Sequence, residues 1–115
     1  ALGGEAIGLA ISQVMPLPTN VVVPVVRDFQ QAWLALGATA EPSHLALEGY
    51  INARVFIETL QRAGKDPSRG AFIDASWNLK KFNLGGFQIN ASSTERSASQ
   101  FVELTMVGRD GRFIR

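Results

Sequence analysis

One histidine, His44, is the first candidate for acid–base chemistry in this chain of 115 residues. It stands at the start of a predicted helix, where the positive end of the helix dipole disfavours a charged imidazole. A lone histidine makes neither a metal site nor a catalytic triad, and the chain has no cysteine to supply thiolate ligands or disulfides. The residues around His44 therefore predict no catalytic centre and no metal site.

The carboxylates, serines and glycines add no catalytic arrangement. Glu48 and Glu58 lie on the same predicted helix but are ten residues apart, which is too far for an acid–base pair. Glu48 either borders a pocket at the start of that helix or is a solvated carboxylate favoured by the dipole. The serines lack a partnered base, and Gly3-Gly4 and Gly85-Gly86 lack the pattern of a phosphate loop. The sequence thus predicts a protein that is not an enzyme and needs no cofactor.

Length and charge narrow the class of protein further. The chain has the length of one domain, with 46% hydrophobic and 18% charged residues. Its 11 basic and 10 acidic residues give a net charge of +1 without a basic block, so nucleic acid is not expected as a partner. No apolar run approaches the length that crosses a bilayer. The first residues lack the basic start of a secretory signal and pass almost at once into a buried-strand pattern, so we expect a piece of something longer.

The element that must position any site is a long helix predicted from Ser43 to Gly64. Ser43 is a suitable N-cap, and Gly64 stands where a left-handed C-cap is expected. Glu48, Asn52, Thr59 and Arg62 are predicted to be exposed. The predicted buried stripe recurs every three or four residues and consists of Ala46, Gly49, Tyr50, Ala53, Phe56, Ile57 and Leu60.

The remaining elements follow from changes in hydrophobic period. Two further helices are predicted near 22–36, with Pro24 in the first turn, and near 67–79, with Asp66 as N-cap. Strands are predicted near 8–15, 86–91 and 101–107, and a polar loop at 92–99. In the last strand the predicted common face is Val102, Leu104 and Met106.

Two turns complete the expected α/β fold of three helices and short strands. Pro16 and Pro18 each lack an amide donor, so the segment after the first strand is predicted to be an extended connector. Asp110-Gly111 is typical of a hairpin turn, and residues 112–115 are predicted to return as a strand.

Four segments, in this order and spacing, carry a family resemblance. They read SQVMP, VPVVRDFQQAW, LEGYINARVFIETLQRAG and FVELTMVGRDGRF, and together they extend over nearly the whole chain. The chain resembles the C-terminal part of type I periplasmic binding proteins, especially the branched-chain amino-acid (Leu/Ile/Val) receptors of ABC transporters. The polar loop 92–99 departs from that pattern because it lacks a glycine-containing turn.

The resemblance implies a two-lobed architecture of which this chain is a fragment. Each lobe in that family is a flavodoxin-like α/β unit, and the ligand is caught between the two. Residues 1–16 would supply a strand of the second lobe and a crossover. Residues 17–115 would supply mainly first-lobe helices and the C-terminal hairpin.

The same resemblance implies where a ligand would be met. The strand exit, Gln13 and Met15, matches a crossover, and the start of the long helix borders the pocket through His44, Leu45 and Glu48. His44 stands where family members more often carry an aromatic or a small residue. Most of the family's ligand contacts lie earlier in the chain and outside this sequence.

The functional hypothesis that follows is a periplasmic solute receptor for amino acids or similar small polar molecules. It would close like a hinge on the ligand and dock on a membrane permease of an ABC importer. A signal peptide is expected upstream, and the fragment is expected to self-associate if its apolar helix faces are open. The alternative is a cytoplasmic small-molecule-sensing regulator of the same fold; the upstream sequence would separate the two.

Overall fold

Three α-helices and five short β-strands form the part of the chain described by a computed structural model, residues 3–95 and 97–115. The helices are α1 (Pro24–Ala35), α2 (His44–Ala63) and α3 (Arg69–Trp77). The strands are β1 (Ala10–Gln13), β2 (Phe82–Asn83), β3 (Gln88–Ile89), β4 (Glu103–Val107) and β5 (Phe113–Ile114), and a 3-10 helix, Gly3–Ala6, precedes them. The predicted α/β class is confirmed. Residues 1 and 2 of the predicted second-lobe segment and residue 96 of the predicted loop lie outside the described residues.

Local capping explains where the helices begin. In α2 the Ser43 hydroxyl accepts a hydrogen bond from the Ala46 amide at 3.1 Å, as the sequence predicted. α3 begins two residues later than predicted, because Ser68 rather than Asp66 caps it. α1 has no side-chain cap; instead, the Val25 amide donates to the Gly85 carbonyl at 3.0 Å, so a distant turn closes this helix end.

The strands form two separate antiparallel units. One is a three-stranded sheet in the order β1-β4-β5, with Gln13 opposite Glu103 and Met106 opposite Ile114. Its predicted hairpin is confirmed, with a turn closed from the Gly111 amide to the Gly108 carbonyl at 3.0 Å. The other unit is the β2–β3 hairpin. We did not predict β2, since two residues are too few to show a hydrophobic period.

The core lies between α1, α2 and the β2–β3 hairpin. Phe29 of α1 packs its ring 5.6 Å from Tyr50 of α2, and Phe87 packs 5.5 Å from Phe101. The β3 side also matches the predicted alternation, with Ile89 buried between exposed neighbours. The buried cluster is Val25, Val26, Phe29, Leu47, Ile51, Leu79, Leu84, Phe87 and Ile89.

The predicted inner face of α2 was wrong at most positions; of its seven residues, Ala46 and Tyr50 pack against the core. Thr59, predicted to be exposed, is 2% exposed and donates its hydroxyl to the Val55 carbonyl. Phe56, predicted to be buried, is 54% exposed, and Ile57 is 50% exposed. α2 is apolar around most of its circumference, so periodicity alone does not say which side meets α1; the structure turns Leu47 and Ile51 inward instead.

In β4 the side chains alternate as predicted, and Glu103, Thr105 and Val107 face inward. The predicted common face of Val102, Leu104 and Met106 is the outer one, and Leu104 is 68% exposed. The inner face holds polar contacts with the connector and β1, including the Thr105 hydroxyl donating to the Ile11 carbonyl at 3.3 Å. Hydrogen bonding, not apolar character, therefore decides the inward face of this strand.

The described chain is extended and leaves much surface open. Its radius of gyration is 16.6 Å, whereas a compact domain of this length has about 13 Å. Its accessible surface is 7990 Å², against about 6,100 Å² for a compact monomer of this mass. Within the described part, no helix combines the length and apolarity needed to span a membrane. Several helix and sheet faces therefore lack a covering layer.

Candidate functional site

A cavity of about 370 Å³ opens where three segments meet: the connector after β1, the start of α2 and the β4–β5 turn. This volume is in the range of small-molecule sites. Leu17, Pro18, Pro42 and Phe113 contribute apolar side chains to its wall. The polar part of the lining consists of Thr19, Glu41, Ser43, His44 and Arg112, next to Gly111.

His44 is placed in this wall by the cap of α2. Its ring packs edge-on against the Phe113 ring at 5.5 Å and an interplanar angle of 81°. The Nε2 atom is buried and has no hydrogen-bond partner within residues 3–95 and 97–115. Burial lowers the pKa of the imidazole below its ordinary value of 6.5, while the negative charge of Glu103 opposes that shift. The neutral ring is therefore favoured, with one unused polar atom.

This lowered pKa predicts a pH dependence of stability. The unfolded chain binds the imidazole proton more tightly, so the stabilising contribution of neutral His44 is present above the unfolded pKa of 6.5 and lost as pH falls through the lower folded value. Wild type should lose unfolding free energy more steeply from about pH 7 to about pH 5 than His44→Gln, which has no imidazole. Urea denaturation at a series of pH values measures this, and equal slopes would contradict it.

Glu103 is the residue of this region that the sequence interpretation missed. Its side chain is 7% exposed, and its Oε1 accepts from Arg115 Nε at 2.9 Å. Its Oε2 accepts from the Leu17 amide at 3.0 Å. The carboxylate therefore holds the connector against the sheet and places a negative charge near His44. An acidic residue inside an apolar strand run was the available signal, because a buried carboxylate requires partners.

A second ion pair lies across the cavity mouth. Arg112 of the hairpin turn contacts Glu41, before α2, through Nη2 and Oε1 at 2.7 Å. Both side chains are about two-thirds exposed, so the pair contributes at most about 1 kcal/mol. It joins the sheet to the helical part of the chain but is weak enough to open.

The five residues predicted to meet a ligand are spread by the structure. His44 lines the cavity, and Gln13 is half-buried directly opposite Glu103. Met15 packs against the helical core, and Leu45 is 76% exposed. Glu48 is half-buried on α2, one turn beyond His44. Their role in binding stays a prediction.

The chemistry available here is binding by hydrogen bonds and charge. The neutral imidazole, the Arg112–Glu41 pair and apolar walls suit a small polar molecule. Among the described residues, no group of His, Asp or Glu is arranged to hold a metal ion.

Comparisons with known proteins agree over nearly the full chain. A family model described as periplasmic binding protein matches residues 1–112. A substrate-binding periplasmic protein from Ralstonia solanacearum is 35% identical, with a TM-score of 0.85 over 97% of this chain. A possible leucine/isoleucine/valine-binding protein from Rhodopirellula baltica SH 1 is 26% identical, with a TM-score of 0.86 over 99%. An extracellular ligand-binding receptor from Verminephrobacter eiseniae ef01-2 is 29% identical, with a TM-score of 0.83 over 96%.

The chain covers only part of each of these solved structures. This chain spans 33%, 31% and 31% of the three solved structures, so each is about three times longer. A search of curated proteins found no match.

Proposed function

This chain belongs to the periplasmic binding protein family, and on that premise we propose that it forms part of a solute receptor for an ABC importer. The receptor would take up an amino acid or a similar small polar molecule in the periplasm and present it to a membrane permease. A signal peptide upstream would direct its export. The family's role is ligand binding, and we assign the chain no catalysis.

The family match over residues 1–112 carries this proposal. The agreement in fold at TM-scores of 0.83–0.86 supports it, and one of the three similar structures is a possible leucine/isoleucine/valine-binding protein. Branched-chain amino acids are accordingly the ligand class that we propose to test first. Gln13, Met15, His44, Leu45 and Glu48 are the proposed ligand-facing residues.

The geometry supports a hinge at the connector after β1. The three-stranded sheet and the helical part of the chain are joined there by backbone, by the Glu103–Leu17 hydrogen bond, by the exposed Arg112–Glu41 pair and by the His44–Phe113 ring contact. Few strong contacts hold the two parts at one angle, as rotation about a connector requires. We keep the proposal that residues 1–16 belong to the second lobe and residues 17–115 mainly to the first, except that β4 and β5 pair with β1 and would move with it.

This chain supplies only one wall of a ligand site. A zwitterion needs both of its charges met by aligned partners in a cleft that excludes water. Glu48 can meet an ammonium group but not a carboxylate, and a single exposed contact contributes about 1 kcal/mol or less. A micromolar complex needs about 8 kcal/mol. The 115-residue chain alone should therefore not bind a free amino acid measurably.

A chimera provides the direct test. The matching third of the Ralstonia solanacearum protein is replaced by this chain, and binding of leucine, isoleucine, valine and phenylalanine is measured by titration calorimetry. We expect one-to-one binding by the chimera and none by the 115-residue chain. Glu48→Gln should weaken binding by about tenfold or more, because it removes a charged hydrogen-bond acceptor for the ammonium group.

Glu58→Gln is the matched control. Glu58 lies on the same helix and is engaged by Arg62 at 2.7 Å. It should leave the dissociation constant unchanged. Micromolar binding by the 115-residue chain alone would place the whole recognition site here and contradict the proposal. A folded chimera that binds none of these ligands would contradict the assignment to amino acids.

A further inference from the structure

The connector after β1 has a single backbone amide between two prolines. Pro16 and Pro18 carry no N–H group, so Leu17 supplies the one donor of residues 16–18. Both prolines are buried. A residue that precedes a proline favours extended backbone, which leaves Met15 and Leu17 few conformations. The position of the connector therefore depends on what binds the Leu17 amide and the carbonyl group that follows it.

Two side chains from different parts of the chain bind this short segment. Glu103 of the sheet accepts from the Leu17 amide through Oε2 at 3.0 Å. Gln30 of α1 donates from Nε2 to the Pro18 carbonyl at 2.7 Å. The two contacts join residues 86 and 12 positions apart, so neither is a local turn contact. The connector is thus bound to the sheet by one side chain and to the helical part by the other.

The Glu103 carboxylate is suited to this contact by burial and charge. Its side chain is 7% exposed, and its other oxygen accepts from Arg115 Nε at 2.9 Å. A hydrogen bond to an ionised group is about twice as strong as one between neutral groups. Loss of the carboxylate would leave the half-buried Leu17 amide without this partner, which is costly for a backbone donor.

We propose that Glu103 and Gln30 are positioning residues that together clamp the connector and fix one wall of the candidate cavity. That wall is formed by Leu17, Pro18 and Thr19. Glu103 moves with the sheet and Gln30 with α1, so rotation about the connector must stretch or break one of the two hydrogen bonds. This inference rests on the proposed hinge at the connector, and it names the contacts that hold the hinge at one angle.

Hydrogen–deuterium exchange of the Leu17 amide, followed by NMR, reports on the clamp directly. Glu103→Leu should raise the exchange rate of this amide by about ten- to a hundred-fold, because the amide loses a charged acceptor. The Val107 amide donates to the Leu9 carbonyl in the same sheet at 3.0 Å. It should keep its exchange rate, which would show that the sheet itself stays intact.

Glu103→Gln separates the hydrogen bond from the charge. The side-chain amide oxygen in this variant still accepts from the Leu17 amide, so the exchange rate should rise by less than about tenfold. Thr105→Val is the matched control on the same inner face of β4, because it removes a buried hydroxyl that donates to the Ile11 carbonyl inside the sheet. It should leave the exchange rate of Leu17 unchanged.

Gln30→Glu tests the other half of the clamp. The substitution keeps the shape of the side chain but replaces its donor by an acceptor, which repels the Pro18 carbonyl. Sheet pairing does not involve this position, so the variant stays informative if Glu103→Leu folds poorly. The connector should then be released on the side of α1.

Spin labels measure the resulting motion of the sheet relative to the helices. Leu104→Cys on the outer face of β4 and Gln61→Cys on α2 both replace exposed residues, and the sequence has no other cysteine. Double electron–electron resonance on labelled chain diluted with unlabelled chain should give one narrow distance distribution. Glu103→Leu and Gln30→Glu should each broaden this distribution, whereas Thr105→Val should not.

Three outcomes would overturn the proposal. One is an unchanged exchange rate of Leu17 in Glu103→Leu, and another is a distance distribution that neither clamp variant broadens. The third is a broad distribution before any clamp substitution, because the connector would then not be clamped. None of these measurements uses a ligand, so their failure is distinct from a chimera that binds no amino acid, which would contradict only the proposed function.

Discussion

Phe87→Ala should lower the free energy of unfolding by about 3–5 kcal/mol, because it leaves a cavity in the hydrophobic core of the described residues. Phe87 is 1% exposed and is the largest of the fully buried side chains. It follows the β2–β3 turn and joins that hairpin to the Phe101 ring. Urea denaturation of the two proteins measures the loss.

Phe113→Ala provides the control for this change. Phe113 loses the same number of atoms, but its side chain is partly exposed and its described aromatic contact is with His44. We expect less than half the loss seen for Phe87→Ala, since the residue buries less apolar area. Equal losses would show that the hairpin strand is as important to stability as the helical core.

Gly85→Ala should destabilise the chain by about 2–4 kcal/mol, from two separate causes. Gly85 has a φ of +84°, in the left-handed region that disfavours a side chain. An added Cβ would also lie 2.9 Å from the Pro24 Cβ and 3.1 Å from the Val25 nitrogen. The turn would have to move away from α1, and the hydrogen bond that closes this helix end would lengthen.

Gly111→Ala separates the two causes. Gly111 has a similar φ of +77°, but no atom lies within 4 Å of an added Cβ. Its loss should reflect backbone strain alone, about 1–2 kcal/mol. The difference between the two variants in urea denaturation therefore measures the contact between the turn and α1. Identical losses would mean that this contact relaxes without cost.

The three helices and the strands other than β2 could be predicted from local sequence. Ser43 and Gly64 bracket α2, Pro24 begins α1, and Asp110-Gly111 marks the hairpin turn. Each signal acts through the backbone of its own few residues, so no distant part of the chain is needed to interpret it. The family resemblance was likewise carried by segments whose order and spacing are visible without a structure.

The candidate site was harder to predict from the sequence. His44 was predicted at the start of α2, and the structure places it in a cavity wall. Two of its neighbours come from the far end of the chain: Phe113 packs against its ring, and Glu103 carries the negative charge that opposes the lowering of its pKa by burial. Such contacts cannot be predicted from neighbouring sequence, because only the pairing of β1 with β4 brings Glu103 and Phe113 close to the connector.

The sequence by itself determined which segments are helical, where the chain turns and which family the chain resembles, because propensity, capping and period are local. Only the tertiary structure decided which faces are buried. α2 is apolar on both sides. The side with Leu47 and Ile51 is buried against the core, whereas Phe56 is exposed. β4 turned Glu103 inward because the Leu17 amide and Arg115 satisfy its carboxylate there. Burial depends on which neighbour supplies the contacts, and that neighbour lies far away in the sequence.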